Sequence, residues 1–139
     1  MEDVEKIKDA DEIINILDRS REELKELFIE HFGKESFDDL GKDTFRCLSN
    51  YMEMQVLSQS TDRKLALETF HKMDEERRSG IIDSLQETAW KVTVELSKRD
   101  RGIESKPGCY YSNMSTERMK KWLDNLIRFA DELGISVSE

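Results

Sequence analysis

Hydrophobic residues recur at helical spacing between Ile81 and Leu96, the least polar long segment of a very polar chain. Five of them share one face of a helix: Ile82, Leu85, Ala89, Val92 and Leu96. Between residues 90 and 96, however, apolar and polar residues alternate, which is typical of a half-buried strand. Length favours a helix, because a strand here would need a partner that the rest of the chain does not offer.

A helix that is apolar over a wide arc belongs in the middle of a fold. The pattern therefore predicts that residues 81–97 form the central helix of an all-α bundle and that this helix buries Trp90 and Val94. The alternative is an α+β fold with a short strand or hairpin in residues 90–111.

Similar patterns predict a single helical domain over residues 1–139, with about five or six helices. The other helices are predicted at residues 2–18, 20–33, 37–58, 62–78 and 115–134, with Ser115 or Thr116 as the cap of the last. Capping signals set several of these limits: Ser20 with Glu23 at one start, and Gly33 at the following end. The first two helices would then form an antiparallel hairpin. Residues 79–80 separate the fourth helix from the central one, and residues 134–139 are predicted to be a frayed tail.

The apolar side of the third predicted helix, residues 37–58, is defined by its large hydrophobic residues. We expect this side to be buried: Phe45, Leu48, Tyr51, Met52 and Val56. The fourth helix has a thinner stripe and is expected at the edge of the bundle. The last helix has the clearest stripe in the chain, which runs from Met119 to Leu133.

Composition narrows the class of protein. Of 139 residues, 37% are hydrophobic and 38% are charged, a balance that excludes a membrane-embedded protein and a disordered one. The net charge of −9 argues against broad attraction to nucleic acid or anionic membranes. The first 14 residues lack the apolar core of a secretory signal, so we expect a cytoplasmic location with Cys47 and Cys109 reduced.

One short region is basic within this acidic chain. Residues 98–121, called the basic segment below, carry seven Lys or Arg against three Asp or Glu. Cations with interleaved aromatic rings can hold a phosphate and stack a ring, and the N-terminus of the last helix would add backbone donors. The candidate ligand- or partner-binding residues are Lys98, Arg99, Arg101, Cys109, Tyr110, Tyr111, Arg118, Lys120 and Lys121. Alternatively, these charges only pair with acidic helix faces.

Other candidate chemistry is thinner. Glu68 and His71 have the E-x-x-H spacing of helical metal sites, but such a site needs several more inward ligands, and we predict no metal. Cys109 has basic neighbours that would favour a thiolate, yet neither histidine can be placed beside it as a base. The common nucleotide, zinc and serine-hydrolase motifs are absent, so we predict no cofactor and no catalytic set.

These observations favour a non-enzymatic interaction or regulatory domain that binds another protein or a second copy of itself. The alternative, from a different class, is a small-molecule, anion or metal binder, or an enzyme, with a pocket under the loop predicted at residues 98–114. A third hypothesis is an acidic mimic of nucleic acid that occupies a basic partner.

Overall fold

The protein is all-α in the computed structural model, which describes residues 9–103 and 111–136, without the side chain of Leu40. Six α-helices occur in these ranges: α1 (Ala10–Phe32), α2 (Lys34–Ser36), α3 (Lys42–Gln59), α4 (Arg63–Lys72), α5 (Glu75–Asp100) and α6 (Thr116–Leu133). A π-helical turn, Phe37–Gly41, joins α2 to α3. The described residues contain no strand, so the all-α prediction is confirmed and the α+β alternative is not needed.

The chain forms two compact units, Met1–Ile81 and Ile82–Glu139, and α5 contains the boundary between them. The prediction of a single domain stays a prediction. No helix within the described ranges is long and apolar enough to cross a membrane.

The predicted break between the first two helices is wrong. Residues 10–32 form the single helix α1, and Ser20 lies in its interior. Asp9 is the N-cap, because its Oδ1 accepts a hydrogen bond from the backbone N–H of Asp11 at 2.9 Å. No Gly or Pro interrupts residues 10–32, and a serine inside a helix costs too little to end it. Gly33 ends α1 as predicted, with φ at 86°.

The boundary between α4 and α5 also differs from the prediction. α4 begins after Asp62, whose side chain accepts from Leu65 N, but it ends at Lys72 rather than at residue 78. Asp74 then starts α5, since its Oδ1 accepts from Arg77 N at 2.8 Å. Gly80, the predicted separator, lies inside α5. A Cβ atom there would lie 2.4 Å from Asn50 Nδ2, so this glycine permits close packing and not a turn.

The predicted helix over residues 81–97 is confirmed as part of α5. Its fully buried apolar residues keep helical spacing: Ile81, Leu85, Ala89 and Val92. The predicted burial of Trp90 is wrong, because this side chain is 49% exposed, and Val94 is half-buried. Residues 90–96 are therefore helical despite their alternating pattern, and Trp90 lies on the exposed side of the helix. α5 continues to Asp100, which shortens the loop predicted to begin at residue 98.

Both predicted limits of the last helix are confirmed. Ser115 caps the start of α6, where its Oγ accepts from Arg118 N at 3.1 Å. Gly134 follows its end in the left-handed conformation. Of the predicted stripe, Met119, Trp122, Leu126 and Ala130 are buried, as is Phe129 beside them, whereas Ile127 is exposed. In the predicted tail, Ser136 O accepts from Gln86 Nε2 at 3.0 Å, and residues 137–139 lie outside the described ranges.

Candidate functional site

Arg99, one of the candidate binding residues, joins the end of α5 to the start of α6. Its Nη1 donates to Met114 O and its Nη2 to Tyr111 O, both at 2.7 Å. Its Nη1 also lies 3.3 Å from Thr116 Oγ1, and its Nε donates to Glu95 Oε2 at 3.3 Å. This guanidinium therefore fixes the turn at residues 111–115, and these bonds use the fork that would otherwise bind an anion.

The other described cations of the basic segment are exposed: Lys98, Arg101, Arg118, Lys120 and Lys121. Tyr111 is half-buried, with its ring centroid 6.2 Å from that of Trp122. Cys109 and Tyr110 lie outside the described residues. Anion or partner binding by the basic segment stays a prediction, as does a pocket under its loop.

The metal candidates do not form a ligand set within the described ranges. Glu68 and His71 both lie on the exposed side of α4. Across residues 9–103 and 111–136, no three His, Cys, Asp or Glu side chains cluster closely enough to hold a metal ion. Cys47 is an exposed free thiol on α3.

A buried ionic cluster around Glu53 was missed by the sequence analysis. Glu53, on α3, is 0% exposed and lies between two guanidinium groups. Arg77, on α5, donates from Nε to Oε1 at 2.9 Å and from Nη2 to Oε2 at 2.8 Å. Arg21, on α1, also donates to both oxygens. Asn50 accepts from Arg21 at 3.2 Å, and Asp18 pairs with Arg77 at 2.8 Å. The Glu53 cluster thus ties three helices together.

The charge state of Glu53 follows from this surrounding. Burial raises the pKa of the Glu53 carboxyl, but hydrogen bonds from Arg77 and Arg21, together with their charges, outweigh burial and leave its pKa below the ordinary value. Burial likewise lowers the pKa of Arg77, while its bonds to Glu53 and Asp18 raise it further than burial lowers it. Glu53 and Arg77 are therefore both charged near neutral pH.

This cluster explains why the predicted apolar side of α3 is wrong. The buried residues of α3 are Ser49, Glu53, Met54, Leu57 and Ser58. Leu48 and Val56, which we expected to be buried, are exposed. The helix thus turns a partly polar face inward. The available signal was the helical spacing of Ser49, Glu53 and Ser58, which places three polar residues near one side of the helix. That spacing indicates a buried side only when arginines from other helices lie beside Glu53.

A basic pocket opens where α1, the π-helical turn and α3 meet. The six residues that line it are Arg21, Lys25, Phe37, Lys42, Phe45 and Arg46, around a volume of about 230 Å³. Four of the six are cations in a chain of net charge −9. In the basic segment the cations are near each other in the sequence, whereas in this pocket the fold brings together cations from separate parts of the sequence.

Two phenylalanine rings form the apolar part of the basic pocket. Phe37 is 3% exposed, and its ring meets that of Phe45 edge-on at 5.7 Å between centroids. Lys25 Nζ lies 5.8 Å from the Phe37 centroid, within cation–π range. The pocket thus combines aromatic carbon with positive charge.

The π-helical turn shapes this region. A Cβ atom on Gly41 would lie 2.5 Å from Phe28 Cε1, so only glycine lets the turn pass so close to that ring. Phe28 in turn meets Phe37 edge-on at 5.6 Å. Single π-helical turns of this kind occur frequently at functional sites.

α1 also carries an apolar flank that its neighbours leave partly open. Ile16 and Leu27 are exposed, and the adjacent Ile13 and Leu24 are half-buried. At 100° per residue all four fall on one side of α1. We call these four residues the α1 flank.

No protein-family model, curated protein or solved structure matches the chain.

Proposed function

We propose that this protein is a non-enzymatic protein-binding domain and that one partner is a second copy of itself. The observation that carries the proposal is the sequence symmetry of the α1 flank about Ser20. In an antiparallel pair of α1 helices related by a two-fold axis at Ser20, Ile13 meets Leu27 of the second copy and Ile16 meets Leu24. The flank is therefore complementary to itself.

The centre of such a pair suits close packing. Ser20 is small and half-buried, so two α1 helices can approach each other where they cross. The paired region, residues 13–27, would be about 21 Å long at 1.5 Å per residue. Four apolar side chains per copy make a small interface, so we expect weak association, with a Kd on the order of 10–100 µM.

The burial of the last helix favours the α1 flank as the self-association surface. Most of the apolar stripe of this helix, α6, is buried in the folded chain. The α1 flank remains as an apolar surface whose order along the chain has two-fold symmetry. A cytoplasmic location belongs to the same proposal and rests on composition.

Sedimentation equilibrium between roughly 5 and 300 µM, a range that brackets the expected Kd, tests self-association. Leu27→Glu should abolish it, because a charge would be buried against Ile13 of the second copy. Leu48→Glu is the matched control: Leu48 is also exposed but lies on α3, and this variant should associate like the wild type. A monomeric wild type, or equal effects of both variants, would contradict the proposal.

Cross-linking tests the two-fold axis directly. With Cys47 and Cys109 replaced by serine, Ser20→Cys should oxidise to a disulfide-linked dimer, because the two sulfurs face each other at the axis. Glu30→Cys is the control, since its two copies would lie about 30 Å apart along the helices. Equal cross-linking of both variants would refute the antiparallel pairing.

A further inference from the structure

We infer that the basic pocket binds a small organic phosphate, with the phosphate on the cations and an attached ring against Phe45. The inference does not depend on self-association. The pocket lies on a different side of α1 from the α1 flank, because Arg21 and Lys25 follow the flank residues around the helix.

The charges that face the pocket are only partly neutralised. Arg21 already donates to the buried Glu53, and Arg46 reaches Asp43 only at 4.0 Å, in a pair whose side chains are both largely exposed. Such an exposed pair neutralises little charge. Lys25 and Lys42 form no ion pair with any described residue. The pocket thus keeps two to three positive charges, which match a phosphate dianion better than a single carboxylate.

The donors also suit phosphate. Lysine ammonium groups bind phosphate as mobile point charges, and Arg46 can add a planar fork. They come from two helices, Lys25 from α1 and Lys42 with Arg46 from α3. An anion in the pocket would receive donors from both helices, which a run of surface lysines on one helix does not provide.

The aromatic rings define the rest of the ligand. Phe37 is buried and is held by edge contacts with Phe28 and Phe45, so it fixes the position of the half-buried Phe45 ring, which a ligand can reach. A volume of about 230 Å³ is below the range of pockets for drug-sized ligands, which starts near 300 Å³. It therefore suits one phosphate with one ring and not a larger dinucleotide.

Isothermal titration calorimetry with phenyl phosphate at low salt tests the inference, with inorganic phosphate and phenylacetate as comparison ligands. Phenyl phosphate should bind with a Kd below about 1 mM, tighter than either comparison ligand. Inorganic phosphate lacks the ring, and phenylacetate lacks the second charge. Equal or tighter binding of either comparison ligand would overturn the assignment.

Lys42→Glu should weaken phenyl phosphate binding by roughly tenfold or more, since it replaces an attractive charge with a repulsive one. Lys64→Glu, an exposed change on α4 outside the pocket, has the same effect on net charge and should leave the Kd within about twofold. Circular dichroism verifies that both variants are folded. No measurable binding by the wild type, or equal weakening by both variants, would refute the site.

Discussion

Glu53→Gln is the most informative change in the unit Met1–Ile81. Glutamine keeps the size of the side chain but replaces one carboxylate oxygen with an NH2 group. If the amide nitrogen takes the Oε2 position, it faces the N–H groups of Arg21 and Arg77 that now donate to that oxygen. Two charge-assisted hydrogen bonds become donor–donor contacts, and two guanidinium charges lose their buried counterion.

The cost follows from the burial of the three groups. Each hydrogen bond to a charged group is worth about 1.5–3 kcal/mol, and removal of one partner of a buried ion pair costs about 3–5 kcal/mol. The side chains of Arg21 and Arg77 are 24% and 14% exposed, so water and Asp18 recover part of the loss. We therefore expect the free energy of unfolding to fall by about 3 kcal/mol, the low end of that range.

Urea unfolding followed by far-UV circular dichroism at pH 7 measures this change. With a typical m-value near 2 kcal/mol/M, the midpoint should fall by about 1.5 M while m stays constant. Both tryptophans, Trp90 and Trp122, lie in the unit Ile82–Glu139, so their fluorescence reports separately on that unit. Glu68→Gln is the control, an exposed glutamate on α4 whose change should cost under about 0.5 kcal/mol.

The pH dependence gives the same prediction a second readout. The folded-state pKa of Glu53 lies below its ordinary value of 4.5, so the stabilisation is present in full above pH 4.5 and is lost as the pH falls from there through the folded-state pKa. The stability difference between wild type and Glu53→Gln should therefore be largest at neutral pH and shrink in acid. A cost under about 1 kcal/mol, or a difference that is constant from pH 7 to pH 3, would refute the reasoning.

Two further predictions concern α5. Gly80→Ala should destabilise the protein by about 1 kcal/mol, because the new methyl group displaces Asn50. In an Asn50→Ala background the same change should instead stabilise it by up to about 1 kcal/mol. Urea unfolding of the four proteins of this double-mutant cycle measures both effects. Arg99→Ala should speed amide hydrogen exchange at residues 111–116 by roughly tenfold, whereas Lys98→Ala should not; equal effects would contradict the role given to the guanidinium.

The sequence predicts the parts of this fold that local chemistry decides. Ser115 and Gly134 limit α6 because a cap needs only its own neighbours, and the long periodic stripe of α5 identifies a helix without knowledge of its partners. Ser20 and Gly80 show where local reasoning fails. Their capping and breaking signals are weak. Ser20 costs the helix too little to end it, and Gly80 lies where its backbone packs closely against Asn50.

The inward face of α3 required information that spacing does not contain. Hydrophobic periodicity assumes that apolar residues decide which side of a helix is buried. On α3 the buried side is the one that carries Glu53, because arginines from α1 and α5 replace the water that a carboxylate would otherwise need. Neither arginine is near Glu53 in sequence, so no window along the chain reveals the match.

The same limit explains why the basic pocket was not predicted while the basic segment was. In the basic segment the cations lie close together in the sequence, but Arg99 uses its guanidinium to hold the turn at residues 111–115. In the pocket the cations are scattered over residues 21–46 and become neighbours only through the turn at Gly41. Arg21 belongs to both the pocket and the Glu53 cluster. Because Glu53 accepts from Nε and Nη2 of Arg21, the Glu53 cluster fixes this side chain at the wall of the pocket. In the proposed site, Lys25, Lys42 and Arg46 are then the cations that bind the anion.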